Sequence, residues 1–269
     1  MVPLRRRDLP ASKDELAQAV EAELRRFIRK TGPIVDVRSR AFPYIDEVAI
    51  NLDDAEIAAR LPPPQAVTGA TKLAFEVGTV DVTARNIRLH GTALDLRAGA
   101  RGVFLDQGLD ANGEIVLLPR KIRDGEISLS ATQVDLEEAI AKVVAELARA
   151  QGVTIEQVRL AIRERGPRSI AAEVRIQARK FVRVKIDIYG QLDIDENFAA
   201  TISQLRCQGA GVIAARACSA LEPRLRRFNG RSFPLKSLAL GETQLRNLRI
   251  AVTNTVEIRL EFGSSETRA

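Results

Sequence analysis

The residues that could do chemistry are few and far apart in this 269-residue chain. There is one histidine, His90, there are two cysteines, Cys207 and Cys218, and there is no tryptophan. A Ser-His-Asp hydrolase would need His90 as its base, but no G-x-S-x-G motif supplies a nucleophile. The three residues also lack the close spacing of zinc ligands. We therefore expect no catalytic residue, no metal site and no cofactor.

The two cysteines fall at a predicted strand end, Cys207, and inside a predicted helix, Cys218. This is far below the cysteine density of a disulfide scaffold, so both are expected to be reduced, mostly buried thiols.

Carboxylate pairs such as Asp53-Asp54 and Glu137-Glu138 leave open the alternative that two carboxylates act as the acid pair of a glycosidase. The aromatic side chains that usually line sugar-cleaving clefts are scarce, which argues against that alternative.

Residues 209–214 match the G-x-G-x-x-A dinucleotide fingerprint between a predicted strand and a helix. The preceding strand carries Ser203, Gln204 and Arg206, which a buried parallel strand would not. No strand ending in an acidic residue follows about 20 residues later, as nucleotide-binding folds require. The motif therefore indicates a small-residue turn that opens a helix packed closely on a sheet.

The net charge is +6 and the isoelectric point is near 9.7. The basic residues alternate with acidic ones along predicted strands, which is typical of a solvated sheet face. Locally unbalanced basic stretches are Arg5 to Arg7 and the segment from Arg224 to Arg231. The second can stabilise the end of a helix through its dipole or meet an anionic membrane surface. Nucleic acid is not the expected partner.

Three amphipathic helices are predicted. The first begins at Ser12 and Glu15, a capping-box pair, and ends at Gly32-Pro33. The second begins near Asp135, with Glu138 at the capping-box offset. The third begins near Gly211 and should kink or restart at Pro223.

Between the helices the apolar period changes to two, which predicts strands with one apolar and one polar face. The clearest strand runs from Val182 to Ile194, with a possible bend at Gly190. Asn112-Gly113 and Asp124-Gly125 are predicted hairpin turns. Such clean alternation favours an antiparallel sheet over a doubly wound one.

We expect one α+β domain over residues 12–264, flanked by a basic tail, 1–11, and a C-terminal tail, 265–269. The proline-rich stretch around Pro62-Pro63-Pro64 is too short to separate domains convincingly.

No apolar run reaches the roughly 18 residues of a membrane span, and the start lacks the apolar stretch of an export signal. We expect a cytoplasmic protein or one peripheral to the membrane, and an envelope protein if an export signal has been trimmed.

Residues 80–103, 126–147 and 233–263 resemble the LmeA-like family of bacterial phospholipid-binding proteins, within the tubular lipid-binding (TULIP) superfamily. The resemblance lies in the order of elements and in apolar spacing with small polar insertions. It implies a long curved, mostly antiparallel β-sheet wrapped around amphipathic helices, with an elongated apolar groove for acyl chains. Family members are often exported or tethered, and no head-group residue can be transferred.

The function expected from this resemblance is non-catalytic binding of a phospholipid or similar amphiphile, at an anionic membrane surface if the basic residues contribute. Burying an acyl chain is worth about 0.8 kcal/mol per methylene, so such binding needs no residue signature. The expected groove residues are Phe27, Ile28, Val182, Val184, Ile186, Ile188, Ile258, Leu260 and Phe262. The alternative is a structural or protein-interaction module with a filled core and no ligand.

Overall fold

The structure is a computed structural model that describes residues 1–58, 67–89, 91–149, 152–179, 182–235 and 242–264. His90, the Pro62-Pro63-Pro64 stretch and the predicted C-terminal tail lie outside the described residues. The helices are α1 (Lys13–Leu24), α2 (Gln133–Arg149) and α3 (Val212–Phe228). The strands are β1 (Val2–Pro3), β2 (Ile28–Arg29), β3 (Val35–Arg38), β4 (Tyr44–Asn51), β5 (Glu56–Ile57), β6 (Thr68–Leu89), β7 (Thr92–Leu109), β8 (Ile115–Thr132), β9 (Thr154–Gly166), β10 (Ser169–Arg179), β11 (Arg183–Ile194), β12 (Ala199–Gly209), β13 (Ser232–Pro234), β14 (Gln244–Val252) and β15 (Thr255–Gly263).

The strands form two sheets, and the predicted α+β class with mostly antiparallel pairing is confirmed. The larger sheet has the order β14-β15-β8-β7-β6-β4-β3, with β1, β2 and β5 paired at its sides. In it β4 and β5 run parallel to β6. The smaller sheet has the order β13-β12-β11-β10-β9 and is antiparallel throughout.

By its internal contacts the chain divides into two compact units. Unit 1 comprises Met1–Leu129, Ala239–Asn247 and Arg259–Ala269, and unit 2 comprises Ser130–Leu238 and Leu248–Ile258. No helix among the described residues is long and apolar enough to cross a membrane.

Unit 1 buries a large apolar core between its sheet and α1. Ile45, Val77 and Ala84 are completely inaccessible to solvent, and Phe75 packs with its ring 5.6 Å from that of Phe42. Residues 1–11, expected to form a tail, contribute to this unit: β1 pairs with β8, and Leu4 is buried. The core of unit 1 is therefore well filled.

The central strands of unit 1 are long. Val80 and Leu89 lie on one continuous 22-residue strand, β6. The turn predicted at Asn112-Gly113 is confirmed, and Asp110 closes it by accepting hydrogen bonds from Asn112 N and Glu114 N. The turn predicted at Asp124-Gly125 is wrong, since both residues lie inside β8.

The starts of α1 and α2 follow capping chemistry. Ser12 Oγ accepts from Glu15 N at 3.2 Å, so the predicted start of α1 is confirmed. The predicted start of α2 is two residues late, because Thr132 Oγ1 is the group that accepts from Asp135 N. Glu138 does not provide the predicted capping box at this start.

The helix ends differ more from the predictions. α1 ends at Leu24, well before Gly32-Pro33, because Arg25 closes the turn with bonds to Glu21, Lys30 O and Gly32 O. α3 continues through Pro223, where a kink or restart was expected. Pro223 lies on the exposed side of α3, where water can hydrate the carbonyl left without its amide donor.

Unit 2 places both of its helices on one face of the smaller sheet. α2 lies along the edge strand β9, and α3 lies over β12 and β11. Their apolar residues share a single cluster with Val158, Ile176 and Ile186 of the sheet. Arg168 Nε and Ile250 N join the β9–β10 turn to the β14 segment by bonds to Leu248 O and Pro167 O.

Candidate functional site

The nine predicted groove residues are divided between the two units. Phe27, Ile28, Leu260 and Phe262 belong to unit 1, and Val182, Val184, Ile186, Ile188 and Ile258 belong to unit 2. Only the stretch from Val182 to Ile188 places several of them side by side on one strand face of one unit.

The sequence predicted that Phe27 and Ile28 lie on α1. Both residues instead follow the end of that helix. Ile28 is in β2, pairs with Ile57 and is buried. Phe27 O accepts from Ala58 N at 2.7 Å, and the Phe27 side chain packs half-buried against the unit 1 core. In the described structure both residues are core contacts.

Phe262 is also buried, against a glycine that the sequence misassigned to a turn. A Cβ atom placed on Gly125 would lie 2.5 Å from the Phe262 ring, so only glycine allows this strand-to-ring approach. Leu260, two residues before Phe262, is half-buried. Gly125 is therefore a residue of β8 that lets the Phe262 ring pack against the strand, and it does not form a turn.

In unit 2, alternate residues of β10 and β11 form an apolar strip on the helix-bearing face. Val174 pairs with Ile188, Ile176 with Ile186, and Ala178 with Val184. Ile176 and Ile186 are buried, whereas Val174, Val184 and Ile188 are only half-buried. The strip therefore keeps part of its apolar surface uncovered by the two helices.

α2 is fixed to the edge of this sheet by one carboxylate. Glu137 accepts a hydrogen bond from the Leu160 backbone N–H at 2.8 Å and lies 3.4 Å from Arg159 Nη1. The Leu160 N–H points away from β10, so without Glu137 it would be an unpaired edge donor. This contact places the start of α2 beside the middle of β9, with α2 running opposite to β9.

α3 is held against β12 by a disulfide bond between Cys207 and Cys218. The expectation of two reduced thiols is wrong. The α3 helix folds back along β12, which brings the two Cα atoms within 5.3 Å of each other, inside the range that a disulfide spans. Eleven residues of separation gave no hint of this, because the pairing depends on the turn between strand and helix.

That turn is the 209–214 segment that matches the dinucleotide fingerprint. β12 runs antiparallel to β11, so the segment is not part of a βαβ unit. A Cβ on Gly209 would lie 2.6 Å from the Cβ of Ala214. The prediction of a small-residue turn that allows close helix-to-sheet packing is confirmed.

The strand and helix directions bring several exposed apolar side chains to one end of unit 2. The C-terminal half of α2, the start of α3 and the first residues of β11 all lie at this end. The exposed fractions are 57% for Val143, 57% for Leu147, 48% for Val182, 83% for Val212 and 54% for Ile213. We call these five residues the apolar end. Of the five, the sequence singled out only Val182, as an expected groove residue.

Arginines surround the apolar end. Arg149 and Arg216 are exposed beside it on the two helices. Arg179 and Arg183 share one carboxylate, Glu156, at 3.3 and 2.9 Å. With the exposed Glu146 included, four guanidinium groups face two carboxylates among the described residues at this end. Its local charge is therefore positive.

Among the described residues, no group of three or more histidine, cysteine, aspartate and glutamate side chains could hold a metal ion.

On the helix-free face of the sheet, the carboxylate of Asp193 accepts several hydrogen bonds. The Ser169 hydroxyl donates to Asp193 Oδ1 at 2.6 Å, and Gln191 and Ser203 also donate to its carboxylate. These donors, Ser169 first, hold the pKa of Asp193 below its usual value.

No family model matches the sequence, and comparison with curated proteins and with solved structures gives no match either.

Proposed function

We propose that unit 2 binds an anionic phospholipid, with an acyl chain along the seam between α2 and α3 and the apolar end against the bilayer from which the lipid comes. The observation that carries this proposal is the gathering of Val143, Leu147, Val182, Val212 and Ile213 at the end where the half-buried strip begins.

The geometry of the two helices supports a seam over β10 and β11. Leu136, Val143 and Leu147 follow one another on a flank of α2, next to the Ile140–Val144 face that packs on the sheet. Because α2 is right-handed and runs opposite to β9, we infer that this flank faces β10. By the same argument, Ile213 lies on the flank of α3 that faces β11. The two helices therefore present apolar flanks toward each other.

The size of the strip suits an acyl chain. From Val182 to Ile188 the strand extends about 20 Å, at roughly 3.3 Å per residue. Burying ten methylenes along it is worth about 8 kcal/mol, without any polar contact. The predicted groove residues Val184, Ile186 and Ile188 would form the floor, and Val182 the mouth.

The positive charge around the apolar end favours an anionic head group or bilayer. Each basic residue near an anionic membrane surface contributes about 1 kcal/mol. Arg149 and Arg216 have no ion-pair partner among the described residues, so they are available to phosphate groups. The resemblance of residues 126–147 to the LmeA-like family points in the same direction, and the wrapped TULIP-like arrangement remains part of this proposal.

The test is co-sedimentation with vesicles of phosphatidylglycerol and phosphatidylcholine, compared with phosphatidylcholine alone. The variant carries Leu147→Asp and Val212→Asp. The control is Val134→Asp, which is on the same helix α2, is 67% exposed and lies at the opposite end of it. We expect the double variant to bind anionic vesicles at least about tenfold more weakly, because it loses two inserting apolar side chains. The control should bind like the wild type.

Equal loss of binding in Val134→Asp, or no binding of the wild type to anionic vesicles, would overturn the proposal. Organic extraction and mass spectrometry of the purified protein give a second readout, in which co-purified phospholipid supports a ligand in the seam. If there is neither vesicle binding nor extractable lipid, a structural or protein-interaction module is the better description. The filled core of unit 1, with Ile45 and Val77 fully buried, favours that role for unit 1.

A further inference from the structure

The face of the unit 2 sheet opposite the helices carries a cleft lined by arginines. Strand pairing sets two neighbouring cross-strand rows on this face. The first row is Arg163, Ala171, Gln191 and Ser203, and the second is Ala161, Glu173, Tyr189 and Arg206. The first row has its arginine on β9 and the second has its arginine on β12, with small residues at the other end of each row. The result is an open depression of about 300 Å³.

Three arginines line this cleft: Arg163, Arg165 and Arg206. All three are exposed, and none forms an ion pair with a carboxylate among the described residues. Other exposed arginines of unit 2 vary in this respect. Arg159 and Arg183 pair with Glu137 and Glu156, whereas Arg149 and Arg216, like the cleft arginines, have no such partner among the described residues. The distinguishing feature of the cleft is that three guanidinium-bearing side chains line one depression without a direct ion pair, although Arg165 also interacts electrostatically with Asp193.

The acidic residues near the cleft are already engaged. Glu173 lines it but lies 2.6 Å from Arg175 Nη2, on the same strand. Asp193 accepts from Ser169, Gln191 and Ser203. Neither carboxylate comes within 4 Å of a cleft arginine among the described ion pairs. An incoming anion would meet three guanidinium groups and two satisfied carboxylates.

One of the arginines is held in place before any ligand arrives. The guanidinium of Arg206 lies 5.0 Å from the centre of the Tyr189 ring, a cation–π contact. No hydrogen bond or ion pair to a carboxylate engages this guanidinium among the described residues. Ala161 and Ala171 are short side chains next to Arg163 on β9 and β10, so a ligand can approach Arg163 from this side of the cleft.

We propose that this cleft binds a small ligand bearing a phosphate or sulfate group. The planar guanidinium presents pairs of N–H donors that match two oxygens of such an anion, and charge-assisted bonds of this kind are about twice as strong as neutral ones. Gln191 and Gln204, which also line the cleft, can bond to the polar remainder of the ligand. The site lies on the helix-free face and does not depend on the phospholipid proposal.

The experiment is isothermal titration of the full chain with inorganic pyrophosphate and with glycerol 3-phosphate, using glycerol as the uncharged control. The test variant is Arg163→Gln with Arg206→Gln. The matched control is Arg224→Gln together with Arg227→Gln, two exposed arginines on α3 that remove the same formal charge. We expect the test variant to bind both anions at least about tenfold more weakly and the control to bind them like the wild type.

Equal weakening in both variants would overturn the site, because it would show a response to net charge alone. Absence of measurable binding by the wild type would also overturn it. Vesicles of phosphatidylglycerol separate the two possible sources of the anion. If the Arg163–Arg206 variant loses vesicle binding as well, the anion is a lipid head group, and if vesicle binding persists, it is a free phosphate or sulfate ester. If only the Leu147→Asp and Val212→Asp variant loses vesicle binding, the proposal for the arginine cleft is unaffected.

Discussion

A Cβ atom placed on Gly209 would lie 2.6 Å from the Cβ of Ala214, closer than two such carbons can approach. The last residue of β12 and the first buried residue of α3 are therefore in direct contact. The Cβ atom placed on Gly209 would also lie 3.1 Å from Lys185 O and 3.2 Å from Ile186 Cγ2. Three neighbours limit how far the helix can shift to make room.

Gly209→Ala should therefore destabilise unit 2 by about 1–3 kcal/mol, the usual range for overpacking. Chemical denaturation followed by circular dichroism measures the change. Gly166→Ala is the matched control, because the added carbon there meets nothing within 4 Å and the stability should be unchanged or slightly raised. A Gly209→Ala protein as stable as the control would show that α3 does not pack this closely.

Removal of the Cys207–Cys218 disulfide should cost about 2–3 kcal/mol of stability, as expected for a loop of this short length. The variant is Cys207→Ser with Cys218→Ser, compared with the wild type in the presence and absence of a reducing agent. Reduction should destabilise the wild type and leave the double variant unchanged. Two free thiols in the protein purified under oxidising conditions would contradict the bond.

Glu137→Ala should release the end of α2 from the sheet edge and cost about 1–2 kcal/mol, because the Leu160 N–H loses its acceptor. Hydrogen exchange of the Leu160 amide should become faster in this variant. Glu138→Ala is the control, since Glu138 is exposed on the neighbouring helix position. Unchanged protection of the Leu160 amide in Glu137→Ala would mean that another group holds the edge of β9.

Asp193 should make stability depend on pH in the acidic range. Its pKa in the folded protein is lowered by the donors Ser169, Gln191 and Ser203. The ionised carboxylate therefore stabilises the fold at pH values above its unfolded pKa of about 3.9, and this contribution is lost as the pH falls through the lower folded pKa. The difference in unfolding free energy between wild type and Asp193→Asn should be largest above about pH 5 and shrink toward pH 2. A difference that does not change with pH would contradict this assignment.

Phe262→Ala should destabilise unit 1 by about 3–5 kcal/mol, since the ring is buried against Gly125 in the core. Leu147→Ala, at a position that is 57% exposed, should change stability by less than about 1 kcal/mol. Denaturation of both variants distinguishes a core residue from one available to a ligand. A Phe262→Ala protein of wild-type stability would return Phe262 to the list of groove candidates.

The sequence by itself determined the local elements whose cause is local. The Ser12 cap begins α1, period-two alternation predicts β11, and Asn112-Gly113 makes a turn, because each depends on residues adjacent in the chain. The small residues of 209–214 also predicted close packing of a helix on a sheet.

Only the tertiary structure decided what those elements meet. Gly125 is a packing glycine because Phe262, far along the chain, lies over it, and Cys207 bonds to Cys218 because α3 folds back on β12. Val143 and Leu147 have the spacing of core residues but remain exposed, while Phe262 has the same alternation as a groove residue but is buried. Periodicity shows which face of an element is apolar, whereas burial depends on the neighbour that covers that face, and that neighbour is distant in sequence.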